Sequence, residues 1–222
     1  MTLLTKGNPK GRKLRFCLNQ KEVDLLRDKP VNLRDKGIII MGLYCGFRVS
    51  ETVNFQWGWV NYSNKSIKIQ ENLKPIKWKP KYESERDVFP SENPKNVVFE
   101  FLEIYNENYV TKNYVFNSLQ KVNHYRLTTR YVIGLINEYA KSIPFLEETP
   151  HLGKAIGSHA LRRTYASTNF NKLIEKGFNF NEAISICQKL LGHRNPKVTA
   201  DYLFLANEAD LVRSVKDIEL YS

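Results

Sequence analysis

The sequence predicts a mainly helical α+β fold, in which a small antiparallel sheet packs against a helical bundle. Three observations point there. From Asn96 onward most segments carry the 3.6-residue spacing of apolar side chains that an amphipathic helix needs. Ser66 to Gln70 instead alternates isoleucine with polar residues, as a half-buried strand does, and a turn-rich stretch leads from it to a second extended run at Arg86 to Pro90. The balance of 42% hydrophobic and 26% charged residues over 222 positions is that of a folded chain with one substantial core.

Each element has a local reason. Residues 1–18 carry Lys6, Lys10, Arg12, Lys13 and Arg15 among glycine and proline, and read as a basic N-terminal arm or an ordinary tail. Asn19 with Glu22 three residues on has the form of a capping box, opening a helix through about Arg27 with Val23, Leu25 and Leu26 available for packing. A second helix is expected from about Asn32 to Cys45, stopped by Gly46, and Ser50 is a candidate cap for a short third one. Asn72 to Glu85 is a long basic turn rich in Lys, Pro and Glu, with Trp78 as its candidate anchor. Helices are then expected at about 96–107, 127–142, 158–176, 181–191, 196–205 and 207–219. Gly192 and Pro196 separate two of these, and Pro144 and Pro150 mark the loop before the 158–176 segment.

The net charge of +11 makes an acidic polymer the natural partner, because each Lys or Arg that neutralises a phosphate releases condensed counterions. Basic proteins also meet anionic membranes or simply carry solvated lysine faces, so the motifs must decide. Cys17, Cys45 and Cys187 are odd in number, widely spaced and outside any metal-ligand pattern, which argues against a disulfide framework and a structural zinc site. The apolar run from Gly37 to Gly46 is too short to span a bilayer, and the basic N-terminus lacks an apolar signal core. A reducing, cytoplasmic setting is expected.

Three motifs carry candidate chemistry. Gly46-Phe47-Arg48-Val49-Ser50-Glu51 sets an arginine between a helix stop and a helix start, where backbone N–H groups converge on an anion; the ordinary alternative is an Arg48–Glu51 pair across the turn. Ser158-His159-Ala160-Leu161-Arg162-Arg163 opens a helix with Ser158 as candidate cap. Its three-residue spacing puts His159 and Arg162 on one face, with Arg163 as a geometric rival and a solvated helix face as the alternative. Leu191-Gly192-His193-Arg194-Asn195-Pro196 makes a sharp corner, and Tyr202 follows nine residues after the histidine. Tyr202 taken alone is a core aromatic on an amphipathic helix.

With all three motifs present in order, the chain resembles the tyrosine recombinase family, also called phage-type integrases, over roughly residues 19 to 205. The resemblance implies that residues 19–206 form the catalytic domain, and the apolar stripe of Leu211, Val215 and Ile218 makes 207–222 a C-terminal tail helix. It makes Arg48 and Arg162 the phosphate-clamping arginines, His159 and His193 the active-site histidines, and Tyr202 the nucleophile, with Glu51 in support. A lysine on the turn between the strands is also expected; Lys81 is the best match by its interval to Arg86, with Lys77 and Lys79 as rivals. Lys77, Lys79, Arg163 and Arg194 are expected on DNA. Two departures stand out: Arg86-Asp87-Val88-Phe89-Pro90 has one residue more before proline than the usual form, and the basic turn is long. Most such recombinases also carry a separate helical DNA-binding domain, whereas here residues 1–18 precede the first helix.

The implied reaction is attack of Tyr202 on a DNA phosphodiester, giving a 3′-phosphotyrosyl link and a free 5′-hydroxyl, without metal or cofactor. The unperturbed phenol has a pKa of about 10, so its proton must leave, to His159 or to water. Double-stranded DNA is the expected partner, with a DNA-dependent homotetramer and a monomer in free solution. Two other readings stay open: a type IB topoisomerase-like relaxing enzyme, and an inactive DNA-binding regulator derived from a recombinase.

Overall fold

The computed structural model describes residues 17–81, 85–91, 96–108, 114–119, 122–143, 156–200 and 202–203. The expected basic arm before Cys17 and the tail helix after Leu203 lie outside the described residues. Helix α1 spans Gln20–Asp28 and is closed at its start by the capping box: Asn19 Oδ1 accepts from the Glu22 N–H at 2.9 Å and Glu22 Oε2 from the Asn19 N–H at 2.8 Å. Val23 and Leu26 pack inward; Leu25, expected with them, is instead 39% exposed. At about 100° per residue it points away from the face that Val23 and Leu26 share.

Helix α2, Leu33–Cys45, is the centre of the molecule. Its run from Ile38 to Cys45 is buried on all sides, as a helix that is apolar all round must be. Helices α1, α4 (Val97–Asn108) and α6 (Ser158–Glu175) pack around it. Gly42 permits the α6 approach, because a Cβ there would meet Leu161 Cδ1 at 2.7 Å. The remaining helices are α3 (Val49–Thr52), α5 (Thr129–Lys141) and α7 (Phe180–Leu191), with residues 196–200 and 202–203 also helical.

Two starts differ from expectation. Helix α3 begins with Arg48 at the cap position, and Glu51 rather than Ser50 satisfies its first N–H. Helix α6 begins after Gly157, with Ser158 already in the first turn.

The sheet is antiparallel in the order β1 (Val60–Asn61), β2 (Ser66–Ile69), β3 (Arg86–Val88). Strand β1 was not expected; two residues are too few to show a period. The register pairs Val60 with Ile67, Ile67 with Val88 and Ile69 with Arg86. Ile67, Ile69 and Val88 are fully buried on the core face. Trp78 does anchor the basic turn: Asn72 and Trp78 exchange two backbone hydrogen bonds of 2.9 Å, and its ring lies 5.7 Å from the buried Trp59 ring. Cys17, Cys45 and Cys187 are buried, and none of the three is in a disulfide.

Candidate active site

Three arginines gather at the C-terminal end of α7, and the reason is local. Helix α2 stops at Gly46 in the left-handed region at φ 60°, so Arg48 leaves the helix at a corner facing α7. Its Nη1 donates to Glu51 Oε1 at 2.8 Å, and its Nη2 to the Leu191 and Gly192 carbonyls, each at 3.1 Å. Arg162, on the second turn of α6, donates to the Gly46 and Leu191 carbonyls. From β3, Arg86 donates through Nε to the Leu190 carbonyl at 3.0 Å. Carbonyls 190–192 are among the acceptors that the end of α7 leaves without helical partners, and they form the negative end of its dipole.

Glu51 ties the three together. It is fully buried, takes a parallel pair from Arg86 Nη1 and Nη2 at 2.8 and 2.9 Å, and lies 3.8 Å from Arg162 Nη1. Burial by itself would raise its pKa, but the charge of Arg86 first, then those of Arg162 and Arg48, hold it down at about 2. Three positive charges against one negative leave a surplus of two. Arg162 is pulled below its usual range by burial, which the attraction of Glu51 partly offsets.

His193 follows the left-handed Gly192 and its N–H caps the Gln188 carbonyl at 3.1 Å. Its Nδ1 sits 3.0 Å from Thr199 Oγ1, and its ring meets the Tyr202 ring edge to face at 5.5 Å. Burial, and then the charges of Arg162, Arg48 and Arg86, push its pKa down to about 3, so the ring is neutral at neutral pH.

Tyr202 is 9% exposed, with its hydroxyl 3.5 Å from His159 Nδ1 and 3.4 Å from the His159 carbonyl oxygen. His159 itself is exposed, so the phenol lies just beneath the surface. Burial raises the Tyr202 pKa, while Arg162 and then Arg163 pull it down.

The contacts thus bring Arg48, Glu51, Arg162, His193, Tyr202 and His159 into one cluster. Neither arginine of α6 forms a solvated face: Arg162 is 2% exposed and Arg163 8%. Arg163, expected on DNA, has its guanidinium carbon 4.8 Å over the Tyr202 ring. Lys77, Lys79 and Lys81 stand exposed between β2 and β3, with Lys79 Nζ 3.7 Å from Glu71 Oε2. Arg194 is exposed at the α7 corner.

Sequence reasoning did not place Arg86 or Thr199 in the cluster. A signal existed for each: Arg86 shares a strand face with the core residue Val88, and Thr199 lies one helical turn before Tyr202. Among the described residues, no group of three or more His, Cys, Asp or Glu could hold a metal ion, and no helix is long and apolar enough to cross a membrane.

The chain is similar to several known proteins. The tyrosine recombinase XerA of Pyrococcus horikoshii is 28% identical over 196 residues, covering 88% of this chain and 59% of that protein. The chain therefore spans rather less than two thirds of that relative. Among solved structures, a XerA recombinase superposes with a TM-score of 0.62 at 20% identity, over 95% of this chain and 66% of that one. The Tn1549 transposon integrase, solved with a circular intermediate DNA, gives a TM-score of 0.64 at 18% identity, over 92% and 68% of the two chains. The XerH recombinase bound to a palindromic difH substrate gives 0.58 at 19% identity, over 88% and 51%. These likenesses establish the fold. The model of the phage integrase family matches residues 17–208, which contain every residue of the cluster, and on that match this chain belongs to the phage integrase family.

Proposed function

We propose that this chain is the catalytic part of a site-specific DNA recombinase that breaks and rejoins strands through a 3′-phosphotyrosyl link on Tyr202. One observation carries the reading: Arg48 and Arg162, 114 positions apart in the chain, donate to the same Leu191 carbonyl, and His193, two residues on, meets the Tyr202 ring edge to face. Relatives solved on DNA, the transposon integrase and XerH, support double-stranded DNA as the substrate.

In the proposed reaction the Tyr202 oxygen attacks phosphorus, the bond to the 5′-oxygen breaks, and the phosphoryl group stays on the phenol. The phenolic proton passes to His159 Nδ1 or to water, and the departing 5′-oxygen takes a proton from a turn lysine, for which Lys81 is our candidate. A guanidinium, with a pKa above about 12, is a poor acid for that step. Arg48 and Arg162 suit the non-bridging oxygens, since planar forks give paired hydrogen bonds. The surplus of two positive charges matches the two negative charges carried at phosphorus once the phenolate has added to a phosphodiester anion. Glu51 and Arg86 orient the clamps, and Arg163 supports the Tyr202 ring instead of reading DNA. Lys77, Lys79 and Arg194, all exposed, are the candidates for DNA backbone contacts. We assign 19–206 as the catalytic unit and expect four copies to assemble on DNA.

A nicked suicide duplex, which loses its short 5′-hydroxyl fragment after cleavage, traps the covalent intermediate. The wild-type chain should form a denaturation-resistant adduct, and Tyr202→Phe should form none while still binding the duplex. An adduct of undiminished yield in Tyr202→Phe would reject the assignment.

A further inference from the structure

The Thr199 side chain is fully buried, and His193 Nδ1, 3.0 Å away, is its hydrogen-bond partner among the described residues. That pairing decides where the imidazole proton sits. A hydroxyl has one hydrogen to place, and in a dry site it must point at an acceptor. If Nδ1 carried the ring proton, it would donate to Thr199 Oγ1 and leave the hydroxyl hydrogen with no acceptor among the described residues. If Nδ1 is bare, the hydroxyl donates to it and both groups are satisfied. The ring is neutral, so its single proton then belongs on Nε2.

We infer that Thr199 holds His193 as the Nε2–H tautomer, so that the ring presents a donor, and not a lone pair, to an anionic oxygen in the arginine cluster. Thr199 is thus a positioning residue that acts through His193. The placement favours this. Thr199 lies three residues before Tyr202, so the segment that carries the nucleophile also sets the donor. A shift of that segment would move both. The functional half of the inference rests on the strand-cleaving reading of the site; the tautomer itself does not.

The test uses the full chain with 15N-labelled histidine, whose long-range proton–nitrogen correlations distinguish the two neutral tautomers. His193→Gln identifies the signal among the four histidines. The wild type and Thr199→Ser should show the Nε2–H pattern, and Thr199→Val, which keeps the shape and loses the hydroxyl, should show a mixture. On the suicide duplex Thr199→Val should cleave slower by on the order of tenfold or more, with binding unchanged, and Thr199→Ser should stay within about twofold of wild type.

An Nδ1–H pattern in the wild type would overturn the inference. So would a Thr199→Val chain with unaltered tautomer and unaltered cleavage. The wild-type spectrum and Thr199→Ser decide the matter even if the valine variant fails to fold. An adduct in Tyr202→Phe would instead sink the strand-cleaving reading and leave the tautomer result standing.

Discussion

Glu51→Gln keeps the shape of the side chain and removes the one carboxylate that Arg48, Arg86 and Arg162 share. The cost follows from the site. Burial would raise Glu51, yet its guanidinium neighbours bring it from the ordinary 4.5 down to about 2. A difference of about 2.5, at roughly 1.36 kcal/mol each, is about 3 kcal/mol that ionised Glu51 contributes to stability at neutral pH. Because the folded value is the lower one, this contribution is present in full above pH 4.5 and is lost as pH falls through about 2. Urea unfolding of both chains should therefore show wild type ahead by about 3 kcal/mol at about pH 7 and by about 2 kcal/mol at about pH 3.5. A gap that is equal at the two pH values, or below about 1 kcal/mol at the higher one, would refute the shared-carboxylate reasoning.

Arg162→Lys exchanges a fork that reaches two carbonyls for a single point of donation, and cleavage of the suicide duplex should fall by on the order of a hundredfold with DNA binding little changed. An unaltered cleavage rate would remove Arg162 from the clamp. Gly46→Ala places a side chain at φ 60° and drives its Cβ into the Tyr165 ring, so thermal unfolding should show a loss on the order of 1–3 kcal/mol. A melting temperature equal to wild type would contradict the close packing there. Arg163→Met keeps a long apolar stem but removes the charge over the Tyr202 ring, so the rise of cleavage rate with pH should move to higher pH. A profile that stays in place would mean that Arg163 does not act on the phenol.

Much of this site was legible because its parts are punctuated locally. Asn19 with Glu22, Gly46, Gly192 and Asn195 each govern hydrogen bonds within a few residues of themselves, and the structure has each of them doing so. Capping chemistry is local, so spacing reveals it. Where the spacing offered two equivalent choices, the sequence left them open. Arg162 and Arg163 lie three and four residues from His159 and are indistinguishable by helical period. Only the packing of α6 on α2 and α7 sends Arg162 to the Gly46 and Leu191 carbonyls and Arg163 to the Tyr202 ring.

By itself, then, the chain's sequence determined the helix ends marked by Asn19, Gly46 and Gly192, the single alternating strand and the order of the arginine, histidine and tyrosine motifs. The tertiary structure decided which groups share a charge. Arg86 reaches Glu51 across 35 positions and Leu190 across 104, and Arg48 reaches Leu191 across 143. No periodicity extends that far: a repeat of two or 3.6 residues reports which face a side chain takes, while its partner on that face is set by how distant elements pack. The buried carboxylate with three guanidinium groups around it is a product of that packing.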